Sequence, residues 1–76
     1  MTELLEFIVR ALVEHPEEVE VEELEEDGDL VYEISVADDD LGRVIGKGGR
    51  VANAIRTIAK AAAVRIDRRV IVEILD

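Results

Sequence analysis

The sequence predicts an α+β domain in the order α-β-β-α-α-β, and three observations predict it. Two segments carry apolar residues at helical spacing, one near the N-terminus and one after residue 50. Three shorter segments alternate apolar and polar residues with the period of two that marks a half-buried strand. A cluster of glycines, Gly46, Gly48 and Gly49, divides a short helical segment from the long one that follows. The 76 residues are enough for one small core, so residues 1–76 are expected to form a single domain.

Thr2 is the expected N-cap of the first helix, with Glu3 in its first turn. Leu4, Leu5, Ile8, Val9, Ala11 and Leu12 make its apolar stripe, and Glu6, Arg10 and Glu14 its polar face at i,i+4 spacing, which places the helix over 3–14. His15-Pro16 ends it, because a residue before proline is pushed out of the helical region; His15 reads as a helix-end residue and not as a ligand or base. Val19 and Val21 alternate with Glu18, Glu20 and Glu22 in a short first strand. Glu26-Asp27-Gly28-Asp29 is a hairpin turn, so the next strand, with Leu30, Tyr32, Ile34 and Val36 alternating with Val31, Glu33 and Ser35, pairs antiparallel with the first.

Asp38 is the expected cap of a short helix running through Leu41, Val44 and Ile45, with Asp39 and Asp40 at its positive end. After the glycines, Arg50 to about Val64 form the long helix. Its apolar face is expected to be Val51, Ile55, Ile58, Ala59 and Ala62, opposite Arg50, Asn53, Arg56, Thr57 and Lys60. Ile66-Asp67-Arg68 connects to a last strand through Val70, Val72 and Ile74.

Composition removes several classes of function. Hydrophobic residues make up 49% of the chain, sufficient for a core, yet there is one Phe, one Tyr and no Trp, so nucleic-acid bases would find no aromatic stacking platform. The absence of cysteine excludes disulfides, thiolate metal sites and cysteine nucleophiles. One histidine at this spacing builds no catalytic constellation, so no enzyme is expected. Carboxylates on alternate strand positions point outward without converging, and neither metal nor cofactor is expected. Met1-Thr2-Glu3-Leu4-Leu5-Glu6 has acids where a signal peptide needs bases, and no apolar run approaches spanning length, so a cytoplasmic protein without a membrane partner is expected.

The net charge of −10 is divided unevenly. Residues 1–42 hold one base against 16 acids, whereas residues 43–76 hold eight bases against three acids, a local +5. Screening at physiological salt acts over about 8 Å, so this local excess governs an anion bound in the second half.

Val44-Ile45-Gly46-Lys47-Gly48-Gly49-Arg50 lies in that basic half. Glycine admits close backbone approach, and the unpaired amides at a helix start attract anions. The mononucleotide loop does not fit, since Gly42 to Gly46 is one residue short and Gly48 follows Lys47 where Ser or Thr is required. The dinucleotide fingerprint needs a parallel βαβ unit, and here two helices follow the strands. Helix–G-x-x-G–helix, Gly46-Lys47-Gly48-Gly49, in this element order resembles the KH domain, whose G-x-x-G loop clamps the backbone of single-stranded nucleotides.

The placing of a helix and strand first resembles the type II, or prokaryotic, KH arrangement. Phe7-Ile8-Val9-Arg10-Ala11-Leu12-Val13, His15-Pro16, Val44-Ile45-Gly46-Lys47, Ala54-Ile55-Arg56-Thr57 and Ala61-Ala62-Ala63 are similar to the small single-domain bacterial KH proteins of the KhpA family. The resemblance implies a three-stranded mixed sheet with the helices packed on one face, and binding of single-stranded RNA with low sequence specificity, as a post-transcriptional regulator or RNA chaperone. It implies that Gly46, Lys47, Gly48 and Gly49 let phosphates approach, that Arg43 and Arg50 add charge, and that Val44, Ile45 and Ile55 floor an apolar groove. Val70-Ile71-Val72 would be the far wall, residues 65–69 a variable loop, and Arg56 and Lys60 an extension of the phosphate track. It also implies homodimers or pairing with a larger multidomain KH protein, so a protein-interaction module is the rival reading. Phe7, Val13 and Val64 are candidates for that contact.

Overall fold

A computed structural model describes all residues from Met1 to Asp76. Helix α1 spans Thr2–Leu12, strands β1 and β2 span Glu20–Glu26 and Asp29–Ser35, helices α2 and α3 span Leu41–Ile45 and Arg50–Ala62, and strand β3 spans Val70–Ile74. Single 3₁₀ turns at Pro16–Glu18, Asp38–Asp40 and Lys47–Gly49 join them. The expected order α-β-β-α-α-β therefore holds. The sheet order is β1-β2-β3, with β1 antiparallel and β3 parallel to the central β2.

α1 buries Leu5 and Val9, one turn apart, against the sheet. Thr2 is not its cap: the helix begins one residue earlier, with Met1 at the cap position and its carbonyl accepting from the Leu5 amide. The helix also stops at Leu12 instead of Glu14, and Val13 is extended. The physical reason is a competing acceptor. The amides of Glu14 and His15 donate to the Asp40 carboxylate, each at 3.0 Å, instead of continuing the helical ladder.

The hairpin turn is as expected. Asp27 and Gly28 both have positive φ, 51° and 86°, the handedness that suits the twist of the flanking strands. β1 is displaced from its pattern: it starts at Glu20, with Glu18 in the preceding 3₁₀ turn and Val19 outside the strand, and Glu22↔Glu33 through Glu26↔Asp29 complete the ladder. Glutamates are poor strand formers, and pairing with the strongly patterned β2 overrides that preference.

Leu30, Tyr32 and Ile34 of β2 stand on the sheet face that carries Val70, Val72 and Ile74 of β3, by their register. This face meets the helices, and Tyr32, Ile34, Val70 and Val72 join Leu5, Val9, Val44, Ile55 and Ala59 in the core. On the other face, Val31 is buried between its cross-strand partners Leu24 and Ile71.

α3 is rotated relative to the expected face. Ala52, Ile55, Ala59 and Ala63 are buried, whereas Ile58 is 43% exposed and Ala62 is exposed. Val51 is drawn to the loop, where it packs against Gly46 so closely that a Cβ on that glycine would stand 2.5 Å from Val51 Cγ2. Ala59 and Ala63 then join Ile55 in the core against the sheet, where their small size permits close approach.

Tyr32 is the sole tyrosine, and it makes the core's polar bond: its hydroxyl donates to Glu23 at 2.9 Å. Burial first, then the bond to Glu23 and the charge of that carboxylate, push its pKa to about 12, while Arg68 opposes the shift. The neutral phenol is the form that the fold favours, so its stabilising contribution is complete below pH 10 and is lost as pH rises toward 12. Spectrophotometric titration should accordingly show phenolate appearing near pH 12 in the folded protein and near pH 10 in denaturant. Ionisation near pH 10 in both would show Tyr32 to be solvated.

Candidate nucleic-acid interface

The loop between α2 and α3 requires its glycines. Gly46 has φ 75° and ψ 170°, a combination that side chains exclude, and a Cβ there would also lie 2.8 Å from the Val51 amide nitrogen. Gly48 and Gly49 follow in the left-handed region with φ 65° and 80°. Nothing lies within 4 Å of a Cβ built on Gly48, so that glycine faces open space.

The loop amides divide into two sets. Gly46 N–H donates to the Gly42 carbonyl at 2.8 Å, Gly49 N–H to the Gly46 carbonyl at 3.1 Å, and Arg50 N–H to the Lys47 carbonyl. The Lys47 and Gly48 amides find no acceptor within the chain. They lie beside the start of the 13-residue α3, where the positive end of the helix dipole adds to the exposed charges of Lys47 and Arg50. Neither cation pairs with an acid.

Further along α3, Arg56 and Lys60 face Arg69 and residues Val70, Ile71 and Val72 of β3 across a groove of about 280 Å³. Arg56 is held in place: its Nε donates to the Val72 carbonyl and its Nη1 to Asn53 Oδ1, both at 3.2 Å. A larger depression of about 480 Å³ is lined by Glu6, Glu20, Glu22 and Glu33, and its sign opposes a polyanion. The basic groove and the acidic strand face are thus separate surfaces.

Three expected site residues have other positions. Val44 and Ile55 are fully buried in the core and do not form an open floor. Ile45 is the exposed member of that apolar set. Arg43 is exposed but committed, because its guanidinium pairs with Glu14 and lies 3.7 Å from Asp40. Its charge is largely balanced by the acidic half of the chain. Arg68 is engaged similarly, by Glu25 and by the Gly28 carbonyl at 2.9 Å.

Asp40 stands at the start of α2, as the sequence leads one to expect, but its burial and its partners were not foreseen. It is 1% exposed and ties the end of the α1 segment to the start of α2. Burial by itself would raise its pKa, but the Glu14 and His15 amides, with His15 and Arg43 nearby, outweigh this and hold the carboxyl below its ordinary value. The only hint in the sequence is the Asp38-Asp39-Asp40 run, in which nothing marks the third residue as the buried one. In the turn after α1, the ligand atoms of half-buried His15 and of exposed Glu17 and Glu18 come within 4.8 Å of one another.

The family described as KhpA/KhpB, KH domain, matches residues 2–74. The chain belongs to the KhpA/KhpB KH-domain family. Its type II KH fold follows from the element order and the mixed three-stranded sheet. The chain is 51% identical over 75 residues to the RNA-binding protein KhpA of Clostridium acetobutylicum, covering 99% of this chain and all of the relative. It is 51% identical over 75 residues to the RNA-binding protein KhpA of Caldanaerobacter subterraneus subsp. tengcongensis, with the same coverage. It is 46% identical over 76 residues to RNA-binding protein KhpA of Listeria monocytogenes, with full coverage of both. No solved structure matches the chain. No helix is long and apolar enough to cross a membrane.

Proposed function

We propose that this protein is a non-catalytic module that binds single-stranded RNA through Gly46-Lys47-Gly48-Gly49 and the groove between α3 and β3. The observation that carries the reading is a pair of basic features on the loop and α3. Two loop amides without acceptors and the unpaired Lys47 and Arg50 stand at the helix start, and Arg56, Lys60 and Arg69 line a groove beside β3 further on. The name RNA-binding protein KhpA on relatives that match the full chain supports the same reading. Phosphates would meet the loop, and bases would lie over Ile45 and the edge of β3. With few cations and no aromatic platform, affinity is modest and most of the strand is held through its backbone, with low overall sequence specificity, suited to a cytoplasmic RNA chaperone or post-transcriptional regulator.

Binding of a mixed single-stranded RNA pool across a salt series tests the reading. With ~2–4 phosphates engaged at about 0.7 each, log K should fall with log salt at a slope of roughly −1.4 to −2.8. A slope near zero, or tighter binding to duplex than to single strands, would reject it.

A second reading has a specific observation behind it: Phe7 is 73% and Val64 79% exposed, whereas Val13 packs against the core. Self-association, or pairing with a larger multidomain KH protein, would cover these side chains. Sedimentation over a concentration series separates dimer from monomer, and a Phe7→Ser variant that dimerises as well as the wild type would remove Phe7 from the contact.

A further inference from the structure

β3 is a free edge of the sheet, and its backbone parity determines what the groove offers a base. The Arg69 carbonyl accepts from the Leu30 amide and the Leu75 amide donates to the Ile34 carbonyl, so residues 69, 71, 73 and 75 turn their backbone groups toward β2. Val70, Val72 and Ile74 therefore turn theirs outward, away from the ladder. An uncapped carbonyl at Val72 would accept a hydrogen bond from an exocyclic amino group, adenine N6 or cytosine N4. That carbonyl is not uncapped. Arg56 Nε donates to it, and one hydrogen of Nη1 goes to Asn53, which leaves the second hydrogen of Nη1 and both of Nη2, the end-on pair of the guanidinium, without an acceptor in the chain.

The other polar side chains of the groove, Lys60 and Arg69, are also donors only. Arg56 thus replaces an acceptor with a planar set of donors at the strand edge. Its anchors turn the guanidinium toward β3, whereas Lys47 and Arg50 carry unpaired charge at the loop. We propose that Arg56 is a specificity-determining residue, whose guanidinium covers the Val72 carbonyl and selects a base with two adjacent acceptors. Guanine, with O6 and N7, fits that fork best. Adenine would set its N6 amino group against a donor. The proposal rests on the RNA-binding reading and differs from a phosphate-track role for Arg56, because a phosphate contact is blind to the base.

The test is fluorescence anisotropy with short uridine tracts that differ in a single central base, A, C, G or U, read for wild type, Arg56→Ala and Arg56→Lys. Wild type should bind the guanine oligonucleotide about fivefold or more tighter than the adenine one. Arg56→Ala uncovers the Val72 carbonyl, so the guanine preference should vanish and adenine and cytosine should gain relative to guanine. Arg56→Lys keeps a charge but no fork, so it should bind more tightly than Arg56→Ala and still fail to select guanine. If Arg56→Ala weakens all four oligonucleotides by one common factor, with the salt slope shallower by about 0.7, Arg56 is a phosphate ligand and the proposal is overturned. Circular dichroism monitors folding. Should Arg56→Ala not fold, full guanine preference in Arg56→Lys would overturn the proposal and loss of it would support it. Wild type that binds none of the four would instead overturn the RNA-binding reading itself.

Discussion

Replacing Lys47 and Gly48 together by aspartate is expected to abolish single-strand binding while the domain remains folded. Both side chains would project from an exposed loop, and nothing occupies the space around a Cβ on Gly48. Aspartate is among the residues that tolerate the left-handed backbone found there, at a cost of about 1 kcal/mol. The binding surface fares differently. One cation is removed and two carboxylates are set beside the only loop amides without acceptors. A charge-assisted hydrogen bond contributes about 1.5–3 kcal/mol, so losing two weakens binding by roughly 100-fold or more. Filter binding with the mixed pool measures this, and circular dichroism confirms the fold. Wild-type affinity in the double variant would remove the loop from the interface.

Gly46→Ala should have the opposite profile, with a large loss of stability from one methyl group. The backbone at φ 75° and ψ 170° is open in practice only to glycine, and forcing a side chain into such a region costs about 1–3 kcal/mol. The added Cβ would also press on Val51 Cγ2 and on the Val51 backbone nitrogen, at 2.5 and 2.8 Å. Overpacking of this kind adds about 1–3 kcal/mol. The total of roughly 2–6 kcal/mol is a large fraction of the ~5–15 kcal/mol that stabilises a small domain. Thermal unfolding should show a Tm lower by about 10 °C or more. Gly48→Ala, in open space, is the matched control and should lose much less. Equal losses for the two would mean that the Gly46–Val51 contact does not hold the loop. Gly46→Ala/Val51→Ala should recover only part of the loss, since the backbone nitrogen remains in the way.

Elements with strong local periodicity were legible in the sequence. The alternation of Leu30, Tyr32 and Ile34, the Asp27-Gly28 turn and the glycine loop depend on residues a few positions apart, and each appears where its pattern places it. What could not be read depends on partners distant in the chain. α1 stops two residues early because Asp40, some 25 residues away, takes the Glu14 and His15 amides. α3 turns Ile58 outward because Val51 is drawn against Gly46 across the loop. The same limit applies to the candidate site. Lys47 and Arg50 could be identified from the motif alone, but nothing local shows that Glu14 neutralises Arg43 or that Arg56 seats on the Val72 carbonyl.

Asp40 has a further consequence for the loop. α2 has only five residues, too few to form a stable helix alone, and it carries the glycines at its end. Its start is held by a carboxylate that also receives the α1 connector, with Arg43 bridging to Glu14 on the same side. The segment before the glycines is thereby anchored to the first helix, and the segment after them is packed in the core through Ile55 and Ala59. The loop lies between two fixed supports. Such preorganisation lowers the ordering cost that binding would otherwise incur.

The most direct measurement is an amide chemical-shift titration of the isotopically labelled protein with a short single-stranded RNA. The amides of Lys47 and Gly48 should move most, followed by Arg50, Arg56 and the edge residues Val70 to Val72, while β1 stays still. Shifts concentrated on Glu20 to Glu26 or on α1 around Phe7, with Lys47 and Gly48 unmoved, would contradict the assignment of the loop as the RNA clamp.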